Sequence, residues 1–600
     1  MNVKVSDYVA DFFAKRNITQ VFTVTGGGAM HLNDSFARNP AINCIYNHHE
    51  QASAMAAEAF TRLTGNVSVL CVTTGPGGTN ALTGVMGAWL DSIPVFVISG
   101  QEKCSSIVSS TILPLRQLGF QEFNIINCVK TMTKYAVVVK DAELIAYYLE
   151  KALYIATHGR CGPVWLDIPL DIQGAVIDTS QLKYYNEVED INILPPKITA
   201  EKINHIMHAI ENAKRPVILA GNGIRLGNAL TEFYEVIENM HIPVVTAWNA
   251  HDLIADDHPL CAGRPGTIGT RGGNFVIQNS DLLLSLGCRM HVRLIGFQEG
   301  NFAKNAYKIA VDIDKAELYK PTLQIDYPVH ADVKNVLEEL LMRKKCFSPK
   351  TDWIQWCKTV NKKYPVVLEA YRKTVGYVNP YFFMERLSSF LKDSDVTVAS
   401  NGTACVCALQ VIELKKGQRM FTNAGASSMG YGLPAAIGAA LATKKAGHII
   451  CLEGDGSIQM NIQELQTISH HKFDIKVFWL NNGGYHSIRQ TQKIHFHGET
   501  AGYYGIDAKS GLSFPDVEKI AYAYGLRYYL LDSQTNIDKI LASVFSTTEP
   551  VLCEVVLDTK QEFAPKLTSR ILPDGKIISP SLEDMSPFLS EEELKSNMLN

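Results

Sequence analysis

The sequence lacks the marks of an oxidised, membrane-bound or nucleic-acid-binding protein. Its thirteen cysteines show no CxxC pair and no disulfide-like regularity. Cys71, Cys288, Cys451 and Cys553 lie inside apolar runs, where a reduced, packed thiol is the simple reading. A reducing cytoplasm is therefore expected. No apolar stretch approaches the length of a transmembrane helix, and no membrane partner is expected. The start, Met1 to Asp7, leads into an amphipathic helix with no secretory h-region or cleavage site. The net charge is only −4, which gives no basis for a nucleic-acid partner. There is no short-period repeat or low-complexity tract.

What is present suits several ordinary cores. Hydrophobic residues make up 46% of the 600 and charged residues 19%. Strand-like and helix-like patterns alternate almost throughout, which predicts an α/β chain of three consecutive parallel-sheet domains. The expected domains are 1–175, 195–345 and 365–560, followed by a tail over 561–600. Residues 175–200, which carry Pro195-Pro196, and the charged run from Arg343 to Asp352 read as linkers. The tail is rich in Pro, Ser and acidic residues and reads as extended.

Chemistry concentrates in the third domain. His448 to Glu453 reads as a buried strand that delivers Asp455 to a Gly454-Asp455-Gly456-Ser457 turn. Gly456 permits close backbone approach to a ligand. Asn461 and Glu464 have capping-box spacing, and Ile462, Leu465 and Ile468 give a helical stripe. Ile475 to Leu480 reads as a second buried strand, ending at Asn481-Asn482-Gly483-Gly484. Two neighbouring strands thus each offer an oxygen ligand at a carboxyl end, a set that suits magnesium holding diphosphate oxygens. Either half alone would read as an ordinary turn. Together, this GDG and the NN pair beginning 24 residues after Ser457 resemble the signature of thiamine-diphosphate enzymes. The resemblance implies that Asp455, Asn482 and the Gly484 carbonyl hold the metal, and that Gly454, Gly456 and Ser457 line the diphosphate.

The first domain carries a candidate activating acid. Asn47-His48-His49-Glu50-Gln51 ends a strand and begins a helix whose stripe is Ala52, Met55, Ala56, Ala59, Phe60 and Leu63, with Gly65 as its stop. Glu50 alone reads as a first-turn acid favoured by the helix dipole. The segment resembles the activating-glutamate region of acetolactate synthases, which implies that Glu50 bonds the coenzyme's aminopyrimidine and favours loss of the C2 proton. Further segments carry the same resemblance. Thr74 to Asn80 looks like the family's pyrimidine loop, implicating Pro76 and Asn80. Thr25 to Met30 looks like its glycine loop, implicating Gly27. Phe120-Gln121-Glu122 resembles its FQE, whose Phe and Gln line the reaction centre; Phe120 alone reads as core. Ala424 to Ala436 resembles GAMGFGLPAAIGA, which places Met429 as the wedge between the coenzyme rings, although alone it too reads as core.

In the second domain, Leu219 to Ile224 is a weak dinucleotide signal without a complete GxGxxG. Gly263 to Thr267, Val311 to Asp314 and Arg160 match flavin-binding positions of acetolactate synthases. The resemblance leaves room for FAD, structural because no electron leaves in a carboligation. Substrate-side positions depart from the family. Leu170 replaces a lysine and Val292 an aspartate, while Arg293 and Gln490 are retained. Thr491 replaces a tryptophan that helps select the acceptor, which opens volume. Asn401-Gly402-Thr403-Ala404 replaces a Gly-Gln-His segment at the diphosphate, leaving Gly402 and Thr403 as contacts. His486, Arg489 and His291 are candidate acceptor contacts, or plain loop residues. The tail pieces Pro565-Lys566-Leu567, Leu572 to Gly575 and Leu582 to Met585 resemble tails of family members of uncertain substrate; they form a lid or a passive strap.

The resemblance implies a carboligase that decarboxylates a 2-keto acid, such as pyruvate, and passes the activated aldehyde to a carbonyl acceptor. Gln121 and Gly26 to Gly28 would assist with alkoxide charge. Alternatives are simple decarboxylation, acyl transfer to a keto-sugar nucleotide in polysaccharide synthesis, or a silent scaffold. In the family one chain's pyrimidine site meets another's diphosphate site, which implies a homodimer or homotetramer; a regulatory subunit stays open.

Overall fold

The computed structural model describes residues 2–343, 345, 347–444, 446–571 and 577–599. It contains three parallel sheets in chain order, as the alternating pattern predicts. The first has six strands, ordered in space as Asn43–Tyr46, Gln20–Thr23, Ser68–Val72, Val95–Gln101, Val164–Pro169 and Tyr135–Val138. The third is ordered Arg419–Phe421, Val396–Ala399, Ile449–Gly454, Ile475–Asn481, Val551–Val556 and Arg527–Leu531. Counted along the chain within each domain, both have the strand order 2-1-3-4-6-5. The middle sheet has five strands, Val244–Thr246, Pro216–Ala220, Leu282–Leu286, Tyr307–Asp312 and Tyr327–His330, in the order 2-1-3-4-5. Each sheet changes direction between its strands 1 and 3. Loops at the carboxyl ends there diverge and leave a crevice for ligands.

The first and third domains interlock through small residues. Helix Glu50–Thr64 is buried nearly all round rather than on one stripe, because its outer face packs on helix Gly432–Ala442. A Cβ on Gly438 would stand 2.2 Å from the Ala56 carbonyl oxygen, so only glycine permits this approach. A buried ionic cluster seals the contact. Tyr431 Oη donates to Glu58 Oε2 at 2.6 Å, and Arg62 bonds Glu58 and, at 2.7 Å, Asp91. Asp91 also accepts from Asn249 of the middle domain at 3.2 Å and from the Gly425 amide at 2.9 Å. One carboxylate thereby joins three domains.

The two segments read as linker and extended tail are more ordered than composition suggests. Val176–Asp178 pairs antiparallel with Asn2–Lys4, and Glu187–Ile193 forms a 3₁₀ turn. In the second linker, Lys344 and Cys346 lie outside the described residues. The tail leaves the third domain and crosses to the middle one. Asn274 Nδ2 donates to the Leu582 carbonyl at 2.9 Å, and Arg271 to that of Pro587 at 2.6 Å. A helix, Glu591–Ser596, follows. The expected motif at Leu572 to Gly575 lies outside the described residues.

Candidate active site

Most of the third domain's candidate residues lie at the carboxyl ends of its central strands, while Met429 follows the edge strand Arg419–Phe421. Strand Val396–Ala399 leads to Gly402, at φ 59°, and to Thr403, which opens helix Thr403–Val411. Strand Ile449–Gly454 delivers Asp455, and strand Ile475–Asn481 delivers Asn482 and Gly484. Asp455 is buried. Its Oδ1 accepts from Trp479 Nε1 at 2.8 Å, and its Oδ2 accepts from the Asn482 and Gly484 amides at 2.8 and 3.0 Å. Burial pushes its carboxyl up to about 6, against these three bonds, which favour the anion. Asn482 Oδ1 accepts from Thr403 Oγ1 at 3.4 Å. Gly484 sits at φ 134°, and a Cβ there would meet the Ile506 carbonyl at 2.0 Å. Arg489 donates to the Asn482 and Gly483 carbonyls, which fixes this turn.

Gly456 packs against Tyr485, while the Cα faces of Gly454 and Gly483 open onto free space. Ser457 is buried; it bonds Ser400 at 2.7 Å and accepts from the Gly430 amide at 2.9 Å. That bond fixes the chain directly beyond Met429, which is half-buried and is not a core residue.

In the first domain, Glu50 begins its helix and is 9% exposed. His49 caps the helix, accepting from the Gln51 amide at 3.0 Å. Glu50 Oε2 accepts from Asn80 Nδ2 at 3.0 Å. Asn80 lies in helix Pro76–Leu90, which begins after Gly75 at φ 58°. A Cβ on Gly75 would stand 2.1 Å from the Gln121 carbonyl, so the Pro76 loop and Gln121 touch through backbone. Gln121 is itself at φ 61°, an uncommon conformation for a residue with a side chain. Phe120 is 80% exposed, so the core reading fails. Gly27 is exposed, and the carbonyl of its neighbour Gly28 accepts from Gln173 Nε2 at 2.8 Å.

The chain brings these two sets of loops partway together. Asn47 Nδ2 and the His48 amide donate to Glu464 at 2.8 and 2.9 Å, and Asn461 Nδ2 donates to Gln51 Oε1 at 3.0 Å. The Asn461/Glu464 spacing is therefore not a capping box; both side chains reach across to the segment that carries Glu50. Helix Glu464–His471 begins after Gln463 instead. Among the described residues no hydrogen bond joins Glu50 to Asp455, Asn482 or Gly484. Sequence reasoning misses Glu464 and Trp479. Their signals are a glutamate inside an apolar stripe and a tryptophan N–H in a buried strand, each of which requires a partner.

Two cavities flank the middle domain. One, of about 410 Å³, lies at its sheet's switch point, between Gly221–Gly223 and Gly287, and reaches Asp312, Ile313 and Arg160. Arg160 is held there by Asp314 and Glu317, each at 2.9 Å. Arg264 is not in this wall; it is buried and donates to the Leu409 and Ile412 carbonyls. The second cavity, of about 530 Å³, lies between the middle domain, the third domain and the tail. Gly402, Gln490, Thr491, His291 and Arg293 line it; His486 and Arg489 do not. His486 is buried against the Gln561 carbonyl at 2.9 Å. Burial and nearby Arg289 push His291 down to about 4, so its imidazole is neutral near pH 7.

Comparison with known proteins gives one answer along the chain. Residues 3–127 match the thiamine pyrophosphate enzyme N-terminal TPP binding domain, 203–340 the central domain, and 400–555 the C-terminal TPP binding domain. The acetolactate synthase isozyme 1 large subunit of Escherichia coli (strain K12) is 30% identical over 560 residues, covering 93% of this chain and 95% of that one. The acetolactate synthase large subunit of Lactococcus lactis is 30% identical over 577 residues, covering 95% and 96%. Acetolactate synthase 2, chloroplastic, of Nicotiana tabacum is 29% identical over 578 residues, covering 94% and 84%. With similarity at this level running through all three domains, the chain belongs to the thiamine pyrophosphate enzymes, in the family of acetolactate synthase large subunits.

Proposed function

We propose that this chain is a thiamine-diphosphate-dependent carboligase that decarboxylates a 2-keto acid, pyruvate, and passes the two-carbon unit to a carbonyl acceptor. One observation carries the reading. Two domains of identical strand order present complementary chemistry at the carboxyl ends of different strands, an oxygen donor set at Asp455 and Asn482 and a single carboxyl group at Glu50.

The residues suit the coenzyme and its metal. Asp455, Asn482 and the Gly484 carbonyl form an all-oxygen set, which favours magnesium. Gly454 and Gly483 leave room where side chains would intrude, and Gly402 and Thr403 border the same crevice. Bound there, thiamine diphosphate would supply an acidic carbon and an electron sink. Glu50 would hold a proton at the coenzyme's pyrimidine nitrogen, steadied by Asn80 on its other oxygen. Pro76 would bound the ring, and Met429 would support its bend. Gly27 and Gln121 would donate hydrogen bonds to oxygen as negative charge develops, and Phe120 would exclude water from that face. FAD would lie in the 410 Å³ cavity as a structural cofactor.

The segment that carries Phe120 exposes further apolar side chains, Ile112, Leu113 and Leu118. A second copy of the chain covering this surface would bring its Asp455 set to Glu50, so the working unit is at least a homodimer. Every described cysteine is free, which supports a reducing compartment. A second reading, transfer to a keto-sugar nucleotide, is favoured by the 530 Å³ of space beside Thr491.

Mass spectrometry of products from labelled pyruvate with a panel of acceptors tests the proposal. A new C–C product with coenzyme and magnesium supports it. Carbon dioxide release without such a product would show simple decarboxylation instead.

A further inference from the structure

The larger cavity has an unusual charge inventory. Lys566, Arg293 and two histidines line it, and among the described residues no aspartate or glutamate does. The smaller cavity has Asp91, Asp312 and Asp332 in its wall beside Arg160 and Arg289. Lys566 comes from the tail, past residue 555 where the match to the C-terminal domain ends. Its backbone is fixed on both sides. Its amide and carbonyl exchange hydrogen bonds with Ser586 at 3.0 and 2.8 Å, and the Leu567 amide donates to the Thr267 carbonyl at 2.6 Å.

The Lys566 ammonium donates to a neutral acceptor, Gln490 Oε1, at 3.0 Å. The nearby acid, Glu562, is engaged by Lys493 at 3.0 Å. Burial lowers the Lys566 pKa more than Glu562 raises it. A partly desolvated cation without a carboxylate is costly unless an anion completes the site. Two hydroxyls point the same way. Thr267 Oγ1 and Thr568 Oγ1 are buried without a hydrogen-bond partner among the described residues, and both threonines line this cavity. Gly402, Ser427 and Ser487 of the third domain also line this cavity.

We propose that Lys566 is a specificity-determining residue: with the Thr267 and Thr568 hydroxyls it binds an anionic group, a carboxylate or phosphate ester, of the carbonyl acceptor. The acceptor's anion would lie at the tail and its carbonyl toward Gly402. This rests on the carboligase reading above.

Two measurements on the full chain loaded with thiamine diphosphate and magnesium test it. In the first, kcat/KM is compared for anionic acceptors, 2-ketobutyrate and glyceraldehyde 3-phosphate, against neutral acetaldehyde. Lys566→Met should lower the anionic-to-neutral ratio about 10- to 100-fold, as expected for losing a charge-assisted bond, and Lys566→Arg should restore most of it. The phosphate and carboxylate arms show which anion is read. An unchanged ratio would overturn the assignment. In the second, calorimetry follows binding of the unreactive probes 2-hydroxybutyrate, glycerol 3-phosphate and neutral glycerol. At least one anionic probe should bind the parent chain, and at least tenfold more weakly after Lys566→Met. Equal binding by the two proteins, or none by the parent, would overturn it. The titration decides the anion site even if the parent shows no turnover, a result that would count against the carboligase reading alone.

Discussion

In the first domain the strand Asn43–Tyr46 hands the chain to Glu50, while in the third the strand with the same place in the sheet, Arg419–Phe421, leads to Met429. The next pair differs as much. Ser68–Val72 leads to the Gly75-Pro76 loop, and Ile449–Gly454 to Asp455. One strand order thus carries two chemistries, because the sheet fixes only where a loop emerges and the loop residues decide what it does there. In the proposed function the first domain would offer a proton-holding group, and the third an anion-anchoring, metal-holding set. Within one chain Glu464 and Asn461 join the third domain to the Glu50 segment and position it without touching its carboxyl group.

The division of labour can be broken from either side. Glu50→Gln is expected to slow C2-proton exchange, followed by NMR, by about 10²- to 10⁴-fold while coenzyme uptake persists. Normal exchange in this variant would remove the first domain from the chemistry. Asp455→Ala should do the converse, weakening magnesium-dependent coenzyme binding by about 10²- to 10³-fold, the scale of removing one partner from a buried charge pair. Calorimetric titration reads this, and uptake at parental affinity would place the metal elsewhere.

Smaller effects sharpen how the two domains are held. Gly438→Ala pushes a methyl group against the Ala56 carbonyl at their interface. A loss of about 1–3 kcal/mol is expected, visible as a lower thermal midpoint; an unchanged midpoint would mean that the helices separate freely. The smallest effect concerns Asp167, which is buried under the Gly75 loop. It accepts from Ser99 at 2.6 Å and from Gln101 at 3.0 Å, and Gln101 in turn accepts from Thr74. Burial pushes its carboxyl up to about 7 from an ordinary 3.8. The folded chain therefore keeps a proton that the unfolded chain has lost. This contribution to stability is present below about pH 4 and disappears as pH rises toward 7. Asp167→Asn should flatten the decline in thermal midpoint over that window, and an identical slope would show that the group is already ionised in the fold.

The alternation of patterns was enough to predict three parallel sheets, and the short motifs lay where strands ended. Legibility failed where a residue answered to a distant partner. The helix after Glu50 reads as one-sided because a stripe is all that periodicity reveals, and its second face is buried only by helix Gly432–Ala442. Phe120 and Met429 read as core by residue type, but Phe120 is exposed and Met429 half-buried. The tail reads as extended from its prolines, although it is bonded to Asn274, Arg271 and Thr267, residues some 300 positions earlier.

What the sequence determined by itself is local: strand and helix periods, the glycines at tight turns, and the oxygen and carboxyl groups at strand ends. These follow from short-range sterics and hydrophobic spacing, which act within a few residues. The tertiary structure alone decided that Asp91 would join three domains, that Glu464 would brace the Glu50 segment, and that a lysine from the tail would face a cavity with no acid in its wall among the described residues. Those arrangements depend on desolvation and on pairing between residues far apart in the chain, and no local pattern encodes either.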